Sequence, residues 1–237
     1  MSETEFESAL YVVATPLGNL GDITLRALAL LKCVDLVLAE DTRLSVKLLH
    51  HYGITKPLKS YREAMSEAAF SKVLEQVDSI LQAGGKVALV SDAGTPGIAD
   101  PGGKMVEQIV MRGQRVIPIP GPASVTTLLS ISGLALQNVL FMGFLPKKKG
   151  RQTDLKKMVA LLEDGFVEGV VIYESPHRIV KLLEELSGSL LTLVLGRELT
   201  KKFEEVRRGS PEELLLDFGA RKSVKGEITL LVTKLGV

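Results

Sequence analysis

An α/β fold is expected for this chain of 237 residues, on three observations. Short runs of Val, Ile and Leu recur along it, the pattern of strands buried on both faces. Longer segments with apolar residues at helical spacing alternate with those runs. Gly, Pro, Asp and Ser gather at the junctions, where the chain must turn. A hydrophobic content of 46% allows a sizeable core, and at about 150 residues per domain the length suits one large domain or two small ones.

In chain order, LYVVAT at 10–15 predicts the first strand, and a turn with two glycines leads from it to a helix at 24–31. LVLAE at 36–40 is the second strand; the helical spacing at 68–82 follows, then VALVS at 87–91. A helix at 105–112 precedes VIPIP at 116–120, whose prolines make a stiff corner into an uncharged helix. VLFMGF at 139–144, a helix at 155–162, GVVIYE at 169–174, a helix at 179–186 and LTLVLGR at 191–197 continue the alternation. In Ser210-Pro211-Glu212-Glu213 the serine can cap, the proline suits the first helical position and Glu213 can complete a capping box. ITLLVT at 228–233 is the last strand, and Gly53, Gly84-Gly85, Gly113 and Gly188 stand where helices should stop.

The interruption by three prolines and a glycine around Pro120–Pro122 is the expected domain boundary, giving domains 1–120 and 121–237. Net charge is +1, so any nucleic acid must be bound through local patches. The single cysteine, Cys33, permits neither an internal disulfide nor a Cys-x-x-Cys ligand pair, and a reducing, cytoplasmic compartment is expected. The acidic start MSETEFES does not read as a signal peptide. The charge-free stretch 116–146 is broken by Pro and Gly and reads as soluble core, not as a membrane span. No metal is expected, since the adjacent His50 and His51 point in different directions on a helix.

Four clusters carry chemistry. The first, Thr15 to Asp22, joins a strand end, a glycine turn and a helix start, where backbone N–H groups can meet an anion. Glu40 and Asp41 follow where a dinucleotide fold would place its ribose acid, but the glycines are spaced G-x-x-G and the full G-x-G-x-x-G is absent. The second, Ser91-Asp92-Ala93-Gly94-Thr95-Pro96-Gly97-Ile98-Ala99-Asp100-Pro101-Gly102-Gly103, is a rigid turn at a strand end in which backbone can approach a ligand closely. The third and fourth, Tyr173 to Arg178 and Arg197 to Lys202, gather polar groups after buried strands; Glu174 with Arg178, or Glu198 with Lys202, can equally be surface pairs. The basic loop Lys147-Lys148-Lys149-Gly150-Arg151 reads as an exposed excursion.

Taken in order, LYVVATPLGNLGDITLRAL, AEDTR, LVSDAGTPGIADPG, PIPGPAS, GFLPKKKGR, VIYESPHR, LGRELTKKFEE and GEITLLV cover nearly the whole chain. This set resembles the ribosomal RNA small-subunit methyltransferase I family, within the tetrapyrrole methylase superfamily. The resemblance implies two α/β domains of the tetrapyrrole methylase type with the cofactor cleft between them, S-adenosylmethionine as cofactor, and a homodimer. It further implies 2′-O-methylation of a cytidine ribose in the decoding region of 16S rRNA; the near-neutral charge favours the assembled small subunit as substrate. Relatives methylate tetrapyrrole carbons or a modified histidine, so fold alone leaves the acceptor open.

Carried over by this resemblance, the cofactor contacts are Leu17, Gly94, Thr95, Ile98, Ser124, Val125, Tyr173, Gly196 and Glu227. Thr95 departs from the superfamily's Asp, and Ala123-Ser124 inverts the family's usual Ser-Ala. Methyl transfer to a ribose hydroxyl needs a base or a cation within hydrogen-bond reach. Glu40, Asp41, Asp92, Glu174 and Lys201 all stand at strand ends; the expected catalytic set is Asp92 or Glu174 as base, with Lys201 as electrostatic helper. Lys147, Lys148, Lys149 and Arg151 are the expected RNA contacts. A small-molecule methylase would not need that loop, and a pure binding protein would not need the carboxylates.

Overall fold

A computed structural model describes residues 6–234; the first five residues of the acidic start on which the signal-peptide argument rests lie outside the described residues. The chain divides into two compact units, Met1–Ala123 and Ser124–Val237.

The first unit alternates β1 (Ala9–Val13), α1 (Leu25–Cys33), β2 (Leu36–Ala39), α2 (Thr42–His51), β3 (Leu58–Ser60), α3 (Glu67–Gln82), β4 (Lys86–Val90), α4 (Gly103–Met111) and β5 (Val116–Ile119). Its sheet is wholly parallel, in the order β3-β2-β4-β1-β5. Tyr11 and Val13 of β1 pack with Ala27, Leu30 and Leu31 of α1 and Leu49 of α2 on one face. Leu10 packs with Val73 and Val77 of α3 and Met105 and Ile109 of α4 on the other. Both faces are therefore buried, which is why these strands read as unbroken apolar runs. The helix after β1 and the helix after β4 lie on opposite faces of adjacent strands, so a crevice opens at the carboxyl ends of β1 and β4.

β1 stops two residues earlier than expected, because Thr15 leaves the sheet to form an antiparallel bridge with Gly94. α2 carries His50 and His51 at its end, just before Gly53, where a helix was expected to stop, and is started by the Asp41 side chain, which accepts from Arg43 N at 2.9 Å. One element of this unit was not expected. β3 is a three-residue edge strand too short to leave a hydrophobic run.

The second unit contains α5 (Ser124–Ser130), β6 (Val139–Phe144), α6 (Arg151–Glu163), β7 (Gly169–Glu174), α7 (Ile179–Leu186), β8 (Leu191–Arg197), β9 (Glu205–Gly209), α8 (Pro211–Gly219) and β10 (Ile228–Lys234). Its order is β6-β7-β10-β8-β9, and only β6 and β7 run parallel. Helices α6, α7 and α8 bury Met158, Leu182 and Phe218 against one face. Leu128 of α5 packs with Val171, Val194 and Leu231 on the other. The unexpected β9 is a charged edge strand, Glu-Val-Arg-Arg-Gly, whose polarity protects the sheet edge and hides the strand from hydrophobic patterning. The expected capping box forms: Ser210 Oγ accepts from Glu213 N, and Glu213 accepts from Ser210 N.

Among the described residues no helix is long and apolar enough to cross a membrane. The charge-free stretch is divided among β5, α5 and β6.

Candidate functional site

The crevice of the first unit is built from two loops that follow β1 and β4. Thr15 N donates to Gly94 O at 2.8 Å, and Gly94 N donates back to Thr15 O at 3.1 Å. Thr15 Oγ1 donates to Ser91 O, and Ser91 Oγ donates to Gly94 O at 3.1 Å. These buried hydroxyls thus hold the loops together. Gly94 sits at φ +82, and a Cβ there would lie 3.2 Å from Leu17 Cδ2. Only glycine adopts this backbone without strain and lets Leu17 pack this closely against the loop. Thr95 Oγ1 donates to Pro122 O at 3.1 Å, so its hydroxyl fastens the loop to the proline corner. Ile98 is exposed, next to Ala99, which holds a left-handed backbone at φ 60.

Beside these loops lies a cavity of about 210 Å³, whose lining includes Thr15, Leu17, Leu44, Ser45, Lys47 and Asp92. Leu44, Ser45 and Lys47 were missed in the sequence; the available signal was the placing of α2 directly after the Glu40-Asp41 strand end. Three carboxylates border this edge, and they are not equivalent. Asp41 is committed, since its side chain takes hydrogen bonds from the Arg43 side chain and Arg43 N, which hold it well below the ordinary carboxylate range. Glu40 is half-buried, and desolvation, helped by the charge of Asp92, pushes its pKa up. Asp92 is exposed; its Oδ1 accepts from Asp41 N at 2.9 Å, which orients the carboxyl and leaves Oδ2 for a ligand.

In the second unit the structure corrects the expectation for Glu174. Its side chain is wholly buried and forms ion pairs with Arg151 at 3.2 Å and Arg178 at 2.7 Å, and Oε1 also accepts from Ser175 N. A buried carboxylate whose oxygens are taken by two guanidinium groups and a backbone N–H has no free face for a hydroxyl. The pair with Arg178 is therefore not a surface pair. Arg151 is corrected too: it is 3% exposed, turned inward onto Glu174 and Glu185, and cannot touch an external phosphate. Lys147, Lys148 and Lys149 are exposed, as expected.

Lys201 pairs with Glu198 at 3.0 Å and Glu227 at 2.9 Å, so Glu198 takes Lys201 as its partner in place of Lys202. Burial opposes the charge on Lys201, but its hydrogen bonds to Glu227 and Glu198 prevail and raise its pKa. An ammonium neutralised by two carboxylates is a weak electrostatic helper, which corrects the role expected of Lys201. Glu227 itself is exposed and is engaged in this cluster. Ser124 Oγ donates to Tyr173 Oη at 2.8 Å, and the tyrosine ring packs edge-on against Phe141 and Phe144. Val125 packs on the core beside Leu128. A Cβ at Gly196 would meet Leu128 and Leu199 at 2.9 Å, so close helix packing accounts for that glycine.

A family model described as Tetrapyrrole (Corrin/Porphyrin) Methylases matches residues 9–215. The chain is 43% identical over 228 residues to ribosomal RNA small subunit methyltransferase I of Borrelia garinii subsp. bavariensis, covering 95% of this chain and 98% of that one. It is 44% identical to the protein of the same name in Leptospira biflexa, covering 94% and 90%. Its fold is similar to that of uroporphyrin-III-C-methyltransferase from Thermus thermophilus, with a TM-score of 0.63 at 20% identity, over 96% of this chain and 94% of that one.

Proposed function

The chain belongs to the ribosomal RNA small subunit methyltransferase I family of the tetrapyrrole methylases, and from this premise we propose that it transfers the methyl group of S-adenosylmethionine to a ribose 2′-hydroxyl of 16S rRNA. The acceptor is assigned as a cytidine of the decoding region in the small subunit, and the working form as a homodimer in the cytoplasm. The observation that carries the reading is a cavity at the ends of β1 and β4 that is lined by Leu17 and Gly18 and by the exposed carboxylate of Asp92, one oxygen of which is oriented by Asp41 N.

The residues present suit S-adenosylmethionine. Leu17 lines the cavity and Gly94 packs closely on it, where a Cβ would lie 3.2 Å from Leu17 Cδ2; Leu17, Gly94, Thr95 and Ile98 are assigned to the cofactor as backbone and apolar contacts. Of the second unit's residues, Ser124, Val125 and Tyr173 are assigned to cofactor contact, while Gly196 and Glu227 are given packing and ion-pair roles. When bound, the cofactor supplies an electrophilic methyl group. Asp92 Oδ2 takes the proton of the ribose hydroxyl, and the hydrogen bond from Asp41 N to Oδ1 fixes the carboxyl for that task. Glu40, with its raised pKa, is the neighbouring group able to receive a proton in turn. Lys47, on the cavity wall, is assigned to a phosphate of the acceptor strand.

Labelled methyl transfer from S-adenosylmethionine to small subunits isolated from cells lacking this protein tests the reading. Label recovered in a 2′-O-methylcytidine after nuclease digestion is the expected result. Cofactor binding without label in RNA would move the assignment to a small-molecule acceptor.

A further inference from the structure

Glu174 is not spent on catalysis, and its surroundings give it another task. The basic loop runs from Pro146 to Gly150, between Leu145, which is buried, and Arg151, which starts α6. On the far side, Arg151 Nη1 reaches Glu174 Oε2 at 3.2 Å, and its Nε reaches Glu185 at 2.8 Å. On the near side, Arg178 Nη2 reaches Glu174 Oε1 at 2.7 Å, and its Nη1 donates to Leu145 O at 3.2 Å. One buried carboxylate therefore grips both ends of the loop. Within it, Arg151 N donates to Lys148 O at 3.2 Å, and Gly150 turns through φ +89.

Resting on the proposed function, we propose that Glu174 is a positioning residue that clamps both ends of the Lys147–Lys149 loop and presents its three exposed lysines to RNA phosphates in a fixed geometry. The clamp has two carboxylates, Glu174 and Glu185, and two guanidinium groups, Arg151 and Arg178, so it carries no net charge. The positive field of the loop is thus the lysines' own. A free lysine loop would lose chain and rotamer entropy on meeting RNA, and holding both ends beforehand removes part of that cost. Burying charges is a poor way to gain stability, and specifying one arrangement is the better-attested use of such a pair.

The test compares wild type, E174Q, R178Q and the triple variant K147A/K148A/K149A, the last also placed in the E174Q and R178Q backgrounds. Readouts are KM for small subunits, single-turnover rate at saturating subunits, S-adenosylmethionine affinity, salt dependence of subunit binding, and amide exchange at 147–150. E174Q should raise KM about tenfold, through lost preorganisation, with rate and cofactor affinity unchanged. The triple lysine variant should flatten the slope of log affinity against log salt by about 2. It should cost several-fold less in the E174Q background than in wild type, a non-additivity that general loosening does not produce. Equal lysine costs in both backgrounds, or a rate loss at unchanged KM, would overturn the proposal. Should E174Q not fold, R178Q decides, because it frees the Leu145 end and leaves Arg151 on Glu174: it must speed exchange at 147–150 and raise KM, and wild-type values for both would refute the clamp. A wild type that binds cofactor but methylates no subunit sinks the proposed function instead, and exchange at 147–150 still reports on the grip itself.

Discussion

Replacing Gly94 by Ala perturbs the loop beside Leu17 at a single atom. The residue sits at φ +82, where an L side chain costs about 1–2 kcal/mol of backbone strain. The new Cβ also stands 3.2 Å from Leu17 Cδ2 and 3.7 Å from Pro122 O, so Leu17 must give way at a further cost of about 1 kcal/mol. Gly97 supplies the control. It has nearly the same backbone, φ +80, but its nearest neighbour would be Gly103 N at 4.0 Å, so G97A pays the strain alone. For a unit of this size, about 1–2 kcal/mol lowers Tm by roughly 4–10 °C, and G94A should fall several degrees further than G97A. Scanning calorimetry gives both shifts, and titration calorimetry with S-adenosylmethionine should show a loss in G94A of roughly tenfold, about 1.4 kcal/mol. Equal Tm values for the two variants, with wild-type cofactor affinity in G94A, would refute the role assigned to Gly94.

Three further outcomes are expected. D92N preserves the acceptor for Asp41 N but removes the base, so single-turnover transfer should drop about 10²–10⁴-fold with cofactor affinity intact; a rate within twofold of wild type would return the search to Glu40. Glu205 is held by Arg221, Arg197 and Arg207, and its pKa falls from 4.5 to about 2, so it stabilises the fold above its ordinary pKa by at most about 3 kcal/mol. That stability disappears as pH drops from about 4.5 towards 2, and the gap between wild type and E205Q in urea unfolding should close over the same range; a constant gap would contradict the ion cluster. K201M leaves Glu198 and Glu227 without their shared cation, and because the pKa of Glu198 is lowered in the fold, the Tm loss should be larger at pH 7 than at pH 4. A loss of methyl transfer in a fully stable K201M protein would restore Lys201 to the reaction.

Much of the fold was legible because it follows from local rules. Buried parallel strands leave unbroken apolar runs such as VALV in β4, and Ser210 and Glu213 carry their own capping geometry. Two of the four edge strands were not legible: β3 has only three residues, and β9 carries three charged residues in five and is held by pairing to β8, which no local pattern announces. The antiparallel course of β10 between β7 and β8 likewise depends on chain path.

The site divides in the same way. Sequence alone determined the α/β class, the glycine and proline turns at the strand ends, and the set of charged residues gathered there, because each depends on residues close together in the chain. Tertiary structure decided which groups remain available. Arg151 stands in a run of cations that reads as solvated surface, yet Glu174 and Glu185, 23 and 34 residues away, draw it into the interior. Lys201 is held by Glu227, 26 residues away. Asp92 is left to face solvent with one oxygen oriented. Whether a charge is buried and paired depends on partners distant in sequence, and that pairing separates a clamp from a contact and a spent carboxylate from a base.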